Sequence, residues 1–100
     1  MEHLFVEIGQ RIKKVRLALG LPQEAFGELL NVGKSFVSAL ENGKSKVNVE
    51  HLVKLLVEHG VNINYILSGK GEMFLPPQYK DVKNEILEEV NRMLREHGLS

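Results

Sequence analysis

The stretch from Gln23 to Gly43, QEAFGELLNVGKSFVSALENG, constrains this chain more than any other. Phe26, Leu29 and Leu30 recur at helical spacing, and so do Val37 and Leu40 a little further on, which predicts amphipathic helices over 23–30 and about 33–42. Between them lies a tight break at Leu30-Asn31-Val32. Asparagine is second to glycine in accepting the left-handed backbone such a break needs. The second helix sets core residues on one face and only small or polar residues on the other. A plain helical hairpin would be free to carry long charged residues there.

The flanking segments read as helices too. Leu4, Ile8, Ile12, Val15 and Leu19 form the apolar stripe of a first helix that stops at Gly20, and Pro22 suits the start of the second. Asn48 caps a fourth helix with a stripe of Leu52, Leu55, Leu56 and His59, ended by Gly60. Asn62 opens a short fifth helix through Ile63, Ile66 and Leu67, and Glu72–Leu75 is expected to pack back on the core. Pro76-Pro77 is the one convincing boundary. Beyond it, Tyr79 to His97 reads as a sixth helix with Val82, Ile86, Leu87, Val90, Met93 and Leu94 on one side. The expected organisation is an all-α, five-helix domain over residues 1–75, then a linker and C-terminal helix over 76–100.

Lysine plus arginine number 13 and aspartate plus glutamate 13, so the net charge is zero, but the distribution is uneven. Between Gln10 and Lys46 stand Arg11, Lys13, Lys14, Arg16, Lys34, Lys44 and Lys46 against Glu24, Glu28 and Glu41. The balancing acids crowd the tail around Glu85, Glu88 and Glu89. A basic front half suits a phosphate-bearing partner, and a separate acidic segment suits assembly. With no cysteine there are neither disulfides nor thiolate metal sites. No apolar run reaches the roughly 18 residues of a membrane span, and nothing resembles a signal peptide, so a cytoplasmic location is expected.

On these residues the chain resembles the phage lambda repressor/Cro-type (Xre) family of helix-turn-helix proteins, whose sequences look like Q-E-x-L-A-x-x-x-G-V-S-x-x-x-I-S-x-x-E-x-G. Gln23, Glu24, Val32, Val37, Ser38, Glu41, Asn42 and Gly43 fall at matching positions. Phe26, Gly27, Asn31 and Gly33 replace leucine, alanine, glycine and serine in ways that keep the helix approach and the turn. The likeness extends from about residue 6 to 75 and includes the segment Val61–Phe74. It implies binding of double-stranded DNA, with the helix 33–42 in the major groove.

The roles implied follow residue by residue. Lys34, Ser35 and Ala39 fall at the family's base-reading positions, and Ser38 shares their outward face. Gln23 matches a residue that touches a phosphate and braces the recognition helix, while Asn42, Lys44 and Lys46 would hold phosphates. Arg16 and Glu41 match a structural ion pair between the first and third helices. Phe36, on the flank, either contacts a sugar or thymine methyl or closes the edge of the core. The last helix either packs on its own domain or pairs with a second subunit. The second option is favoured, because a dimer reaches two half-sites about one DNA turn apart.

Rival readings are weaker. Gly33-Lys34-Ser35 looks like the end of a phosphate-binding loop, but the glycine spacing is wrong and a helix precedes it instead of a strand. His3, His51, His59 and His97 lack ligand spacing and read as surface or half-buried side chains, so neither metal nor cofactor is expected. No nucleophile stands in a catalytic motif, so no enzyme activity is expected. The expectation is a transcriptional repressor binding a pseudo-palindromic operator as a homodimer. The alternatives are an antitoxin or restriction-modification controller that also binds a partner protein, and a protein-interaction module without DNA binding.

Overall fold

Helix-stop signals in the sequence translate directly into element boundaries. A computed structural model of the chain describes residues 2–76 and 79–98, with side chains from residue 3 and, in the last helix, from residue 85. Its helices are α1 (Glu2–Ala18), α2 (Gln23–Leu30), α3 (Lys34–Glu41), α4 (Val49–His59), α5 (Ile63–Ser68) and α6 (Tyr79–Glu96). The fold is all-α, with five helices over the first part of the chain and a sixth beyond them. Among the described residues the β structure is a single isolated antiparallel bridge between Val61 and Phe74.

Phe26 is the centre of the core, fully buried with Ile12, Val15, Val37, Leu55, Val61 and Ile66 around it. Burying a side chain of that size contributes about 1.5–3 kcal/mol. The α2–α3 turn is built as the sequence predicts. Asn31 adopts φ 64°, ψ 38°, and the Val32 N–H donates to the Gly27 carbonyl at 2.8 Å. A Cβ on Gly27 would stand 2.7 Å from the Val32 oxygen, so only glycine lets the turn close this tightly.

A second close approach was not foreseen. A Cβ on Gly9 would lie 2.1 Å from the Leu40 carbonyl oxygen, so the α1 backbone rests directly on the end of α3. Glycine costs an exposed helix interior roughly 1 kcal/mol relative to alanine. At Gly9 that loss is offset by the backbone contact it permits.

Helix α4 departs from the expected one-sided stripe. His51, Leu52, Leu55 and Val57 are buried, whereas Leu56 and His59 are only half-buried. The reason is α6, which lies along the far side of α4. There Val49, Val53 and Val57 face Ile86, Leu87 and Val90 across an open groove of about 440 Å³. Much of the α6 stripe stays exposed: Leu87 39%, Val90 44%, Met93 51% and Leu94 37%. Pro77 and the side chain of Val82 lie outside the described residues. Before α6, Glu72–Leu75 folds back as anticipated: Asn62 N–H donates to the Met73 carbonyl at 2.9 Å and Leu75 N–H to Gly60 at 2.8 Å.

Candidate nucleic-acid interface

The inner side of α3 is fixed by a buried polar cluster. Arg16 Nε on α1 donates to Glu41 Oε2 at 2.6 Å and Nη2 to Oε1 at 3.2 Å, while Nη1 reaches the Leu21 carbonyl at 2.9 Å. Gln23 Nε2, at the first residue of α2, donates to the same Oε1 at 3.1 Å. The Glu41 side chain is 2% exposed. One carboxylate thus ties α1, α2 and α3 together, and each charge has the hydrogen bonds that make its burial tolerable.

The outer side of α3 carries the side chains expected there. Lys34, Ser35 and Asn42 are exposed, and Ser38 and Ala39 are half-buried. Asn42 Nδ2 donates to the Ser38 carbonyl at 2.9 Å and closes the end of the helix. The chain then turns sharply, with the N–H groups of Lys44 and Ser45 both donating to the Ala39 carbonyl. Lys44 and Lys46 are thereby held just past the end of α3. Lys46 Nζ lies 5.2 Å over the ring of Phe5, a cation–π contact that ties this loop to the start of α1.

The two arginines of the basic front half both face inward. Arg16 is engaged with Glu41, and Arg11 donates from Nε to the Ile66 carbonyl at 2.7 Å and from Nη2 to Leu67 at 3.2 Å. Arg11 therefore satisfies the carbonyl end of α5, where a cation is favoured. Its structural role carries no sequence signal, since periodicity does not reveal a partner 55 positions away. What remains outside is lysine: Lys13, Lys14, Lys34, Lys44 and Lys46 are all exposed.

The model of the family described as helix-turn-helix matches residues 12–66, just over half of the chain. The chain belongs to the helix-turn-helix family of lambda repressor/Cro (Xre) type. It is 28% identical over 69 residues to "Control protein C.MunI" from Mycoplasma sp, a match that covers 68% of this chain and 93% of that protein. No solved structure gives a significant match. This helix-turn-helix protein is a DNA-binding regulator. Among its described residues no helix is long and apolar enough to cross a membrane, and no three histidine or acidic side chains are grouped to hold a metal ion.

On the flank of α3, Phe36 is half-buried and meets His51 of α4 edge-to-face, with ring centroids 5.7 Å apart at 62°. Phe36 thus links the flank of α3 to α4. His51 is a correction to the sequence reading, which placed all four histidines at or near the surface. It is 6% exposed, and its Nδ1 has no hydrogen-bond partner. Burial pushes the imidazole below its ordinary pKa, with the neighbouring Glu50 opposing the shift. The sequence signal was its position one residue before Leu52, on the edge of the α4 stripe.

Proposed function

We propose that this helix-turn-helix protein is a cytoplasmic transcriptional repressor that binds a pseudo-palindromic operator as a homodimer. Lys34, Ser35, Ser38 and Ala39 read base edges in the major groove. Gln23, Asn42, Lys44 and Lys46 hold phosphates and set register. The observation that carries this reading is the contrast across α3. Its inner side is anchored by Glu41 to two other helices, and its outer side presents short side chains plus one lysine at the tip. Such a helix is rigid enough to aim and slim enough to enter a groove about 12 Å wide.

Dimerisation is supported by the apolar residues left open on α4 and α6: Val49, Val53, Leu87, Val90, Met93 and Leu94. Contiguous exposed apolar surface of this kind marks an interaction face, and a single small unit reads few base pairs. Selection of bound duplexes from a random pool tests both parts together. Two inverted half-sites about one helical turn apart support the reading, and an asymmetric single site contradicts the dimer. Val90→Glu with Leu94→Glu should give a monomer by light scattering; an unchanged dimer would place the interface elsewhere.

The likeness to a protein named a control protein favours a second reading, in which the chain is a restriction-modification controller with a partner protein. Co-purification with a second polypeptide encoded alongside it would support that version.

A further inference from the structure

We propose that His51 is a positioning residue for DNA reading: its neutral imidazole, packed against Phe36, fixes the roll of α3 and so the aim of Ser35 and Ala39. The inference rests on the reading that α3 enters the groove. Three observations on different elements converge on it.

Helix α3 has only eight residues. Its Val37, Leu40 and Glu41 hold the inner side through the core, α1 and α2, and none of these contacts reaches the flank that carries Phe36. Phe36 projects from the flank, and the ring it meets belongs to α4. Edge-to-face ring pairs have a preferred geometry, so this contact resists roll in a way that an aliphatic pair would not. Ala39 lies three residues beyond Phe36 on the same side of the helix, so any roll of α3 carries it directly.

His51 is itself held in place. Its backbone N–H donates to the Asn48 side chain at 3.0 Å, fixing the residue in the first turn of α4, and the residue is buried. Protonation would put a second N–H on a ring whose Nδ1 faces no acceptor, at the helix end that already disfavours positive charge. Glu50, on the same turn, is the charged group that acts on it and opposes this effect; from α3 it faces Phe36, which does not titrate. The seated ring is therefore the neutral one. Because the folded pKa is lowered, the contact is fully present above the ordinary value of 6.5 and is lost as pH falls below it.

The test uses the full chain, a duplex it selects from a random pool and a scrambled duplex of the same length, at constant ionic strength from about pH 8 to about pH 5. For the wild type, the ratio of the two affinities should hold steady at high pH and fall about tenfold as pH drops through the lowered His51 value. His51→Phe should keep the ratio flat across the range, and Phe36→Leu should lower it at every pH. An unchanged slope in His51→Phe overturns the proposal. NMR of the wild type gives an answer that needs no variant to fold: the amides of Phe36 and Ala39 should shift with the same midpoint as the His51 ring, and amides indifferent to that midpoint overturn it. Failure of the folded protein to hold any duplex would break the recognition-helix reading instead, and the amide titration would still decide whether His51 seats α3.

Discussion

The same ion pair occurs in two regions of this protein with opposite weight. Arg16 and Glu41 meet at the junction of α1, α2 and α3, where both side chains are at least nine-tenths buried. Arg92 and Glu89 meet on α6, where each is more than half exposed. Water decides the difference: it screens the α6 pair and leaves little net gain, whereas the buried pair must be complete or be very costly. The surroundings differ in the same direction. Around the Arg16–Glu41 junction, backbones touch and the buried charges are hydrogen-bonded; between α4 and α6 an open groove remains. The motif is built to hold one geometry, and the α4–α6 side is built with surface to spare.

The largest effect should come from breaking the buried pair. Glu41→Ala leaves the Arg16 guanidinium without its partner and should cost about 3–5 kcal/mol in denaturant unfolding. A loss below about 1 kcal/mol would mean that the pair is as solvated as the one on α6. Gly9→Ala comes next, because the new methyl collides with the Leu40 carbonyl, which is backbone and has little room to move. It should cost about 1–3 kcal/mol, read as a lowered melting temperature. An unchanged melting temperature would show slack between α1 and α3.

On the outer side of α3 the effects move from stability to binding. Lys34→Ala should cost about 1–3 kcal/mol at the one base pair it reads, whereas Lys44→Ala should weaken all duplexes alike and reduce the salt slope by about one. Equal loss of selectivity from both changes would contradict the assigned roles. The smallest effect belongs to α6: Glu89→Gln should alter stability by less than about 1 kcal/mol. A larger change would reveal that this helix is covered in solution.

The motif was legible because its information is local. Helical spacing, Asn31 in the turn and the resemblance to repressor sequences place α2 within its observed bounds and α3 within a residue at each end. The Arg16–Glu41 pair came from the resemblance, and the structure places it between α1 and the end of α3. What stayed hidden depends on partners distant in sequence. Gly9 looks like an ordinary interior glycine until α3 is laid across it. Val57 falls off the α4 stripe, yet is buried on the side where α6 lies. His51 has no ligand pattern, so it was set aside, although its burial follows from the side of α4 it occupies. A one-sided periodicity cannot report a helix that is covered on two sides.

Both arginines of the basic half point into the protein, and this shapes how it can search DNA. Arginine forks grip guanine edges and phosphates in pairs of parallel hydrogen bonds; lysines act as mobile point charges with no preferred plane. A surface supplied only with lysines attracts a duplex strongly yet holds it loosely at any one place. Its grip should rise and fall steeply with counterion concentration and allow the protein to slide between sites. On the proposed reading, fine discrimination is left to Lys34 and a few short side chains, which count only once the helix that bears them is seated.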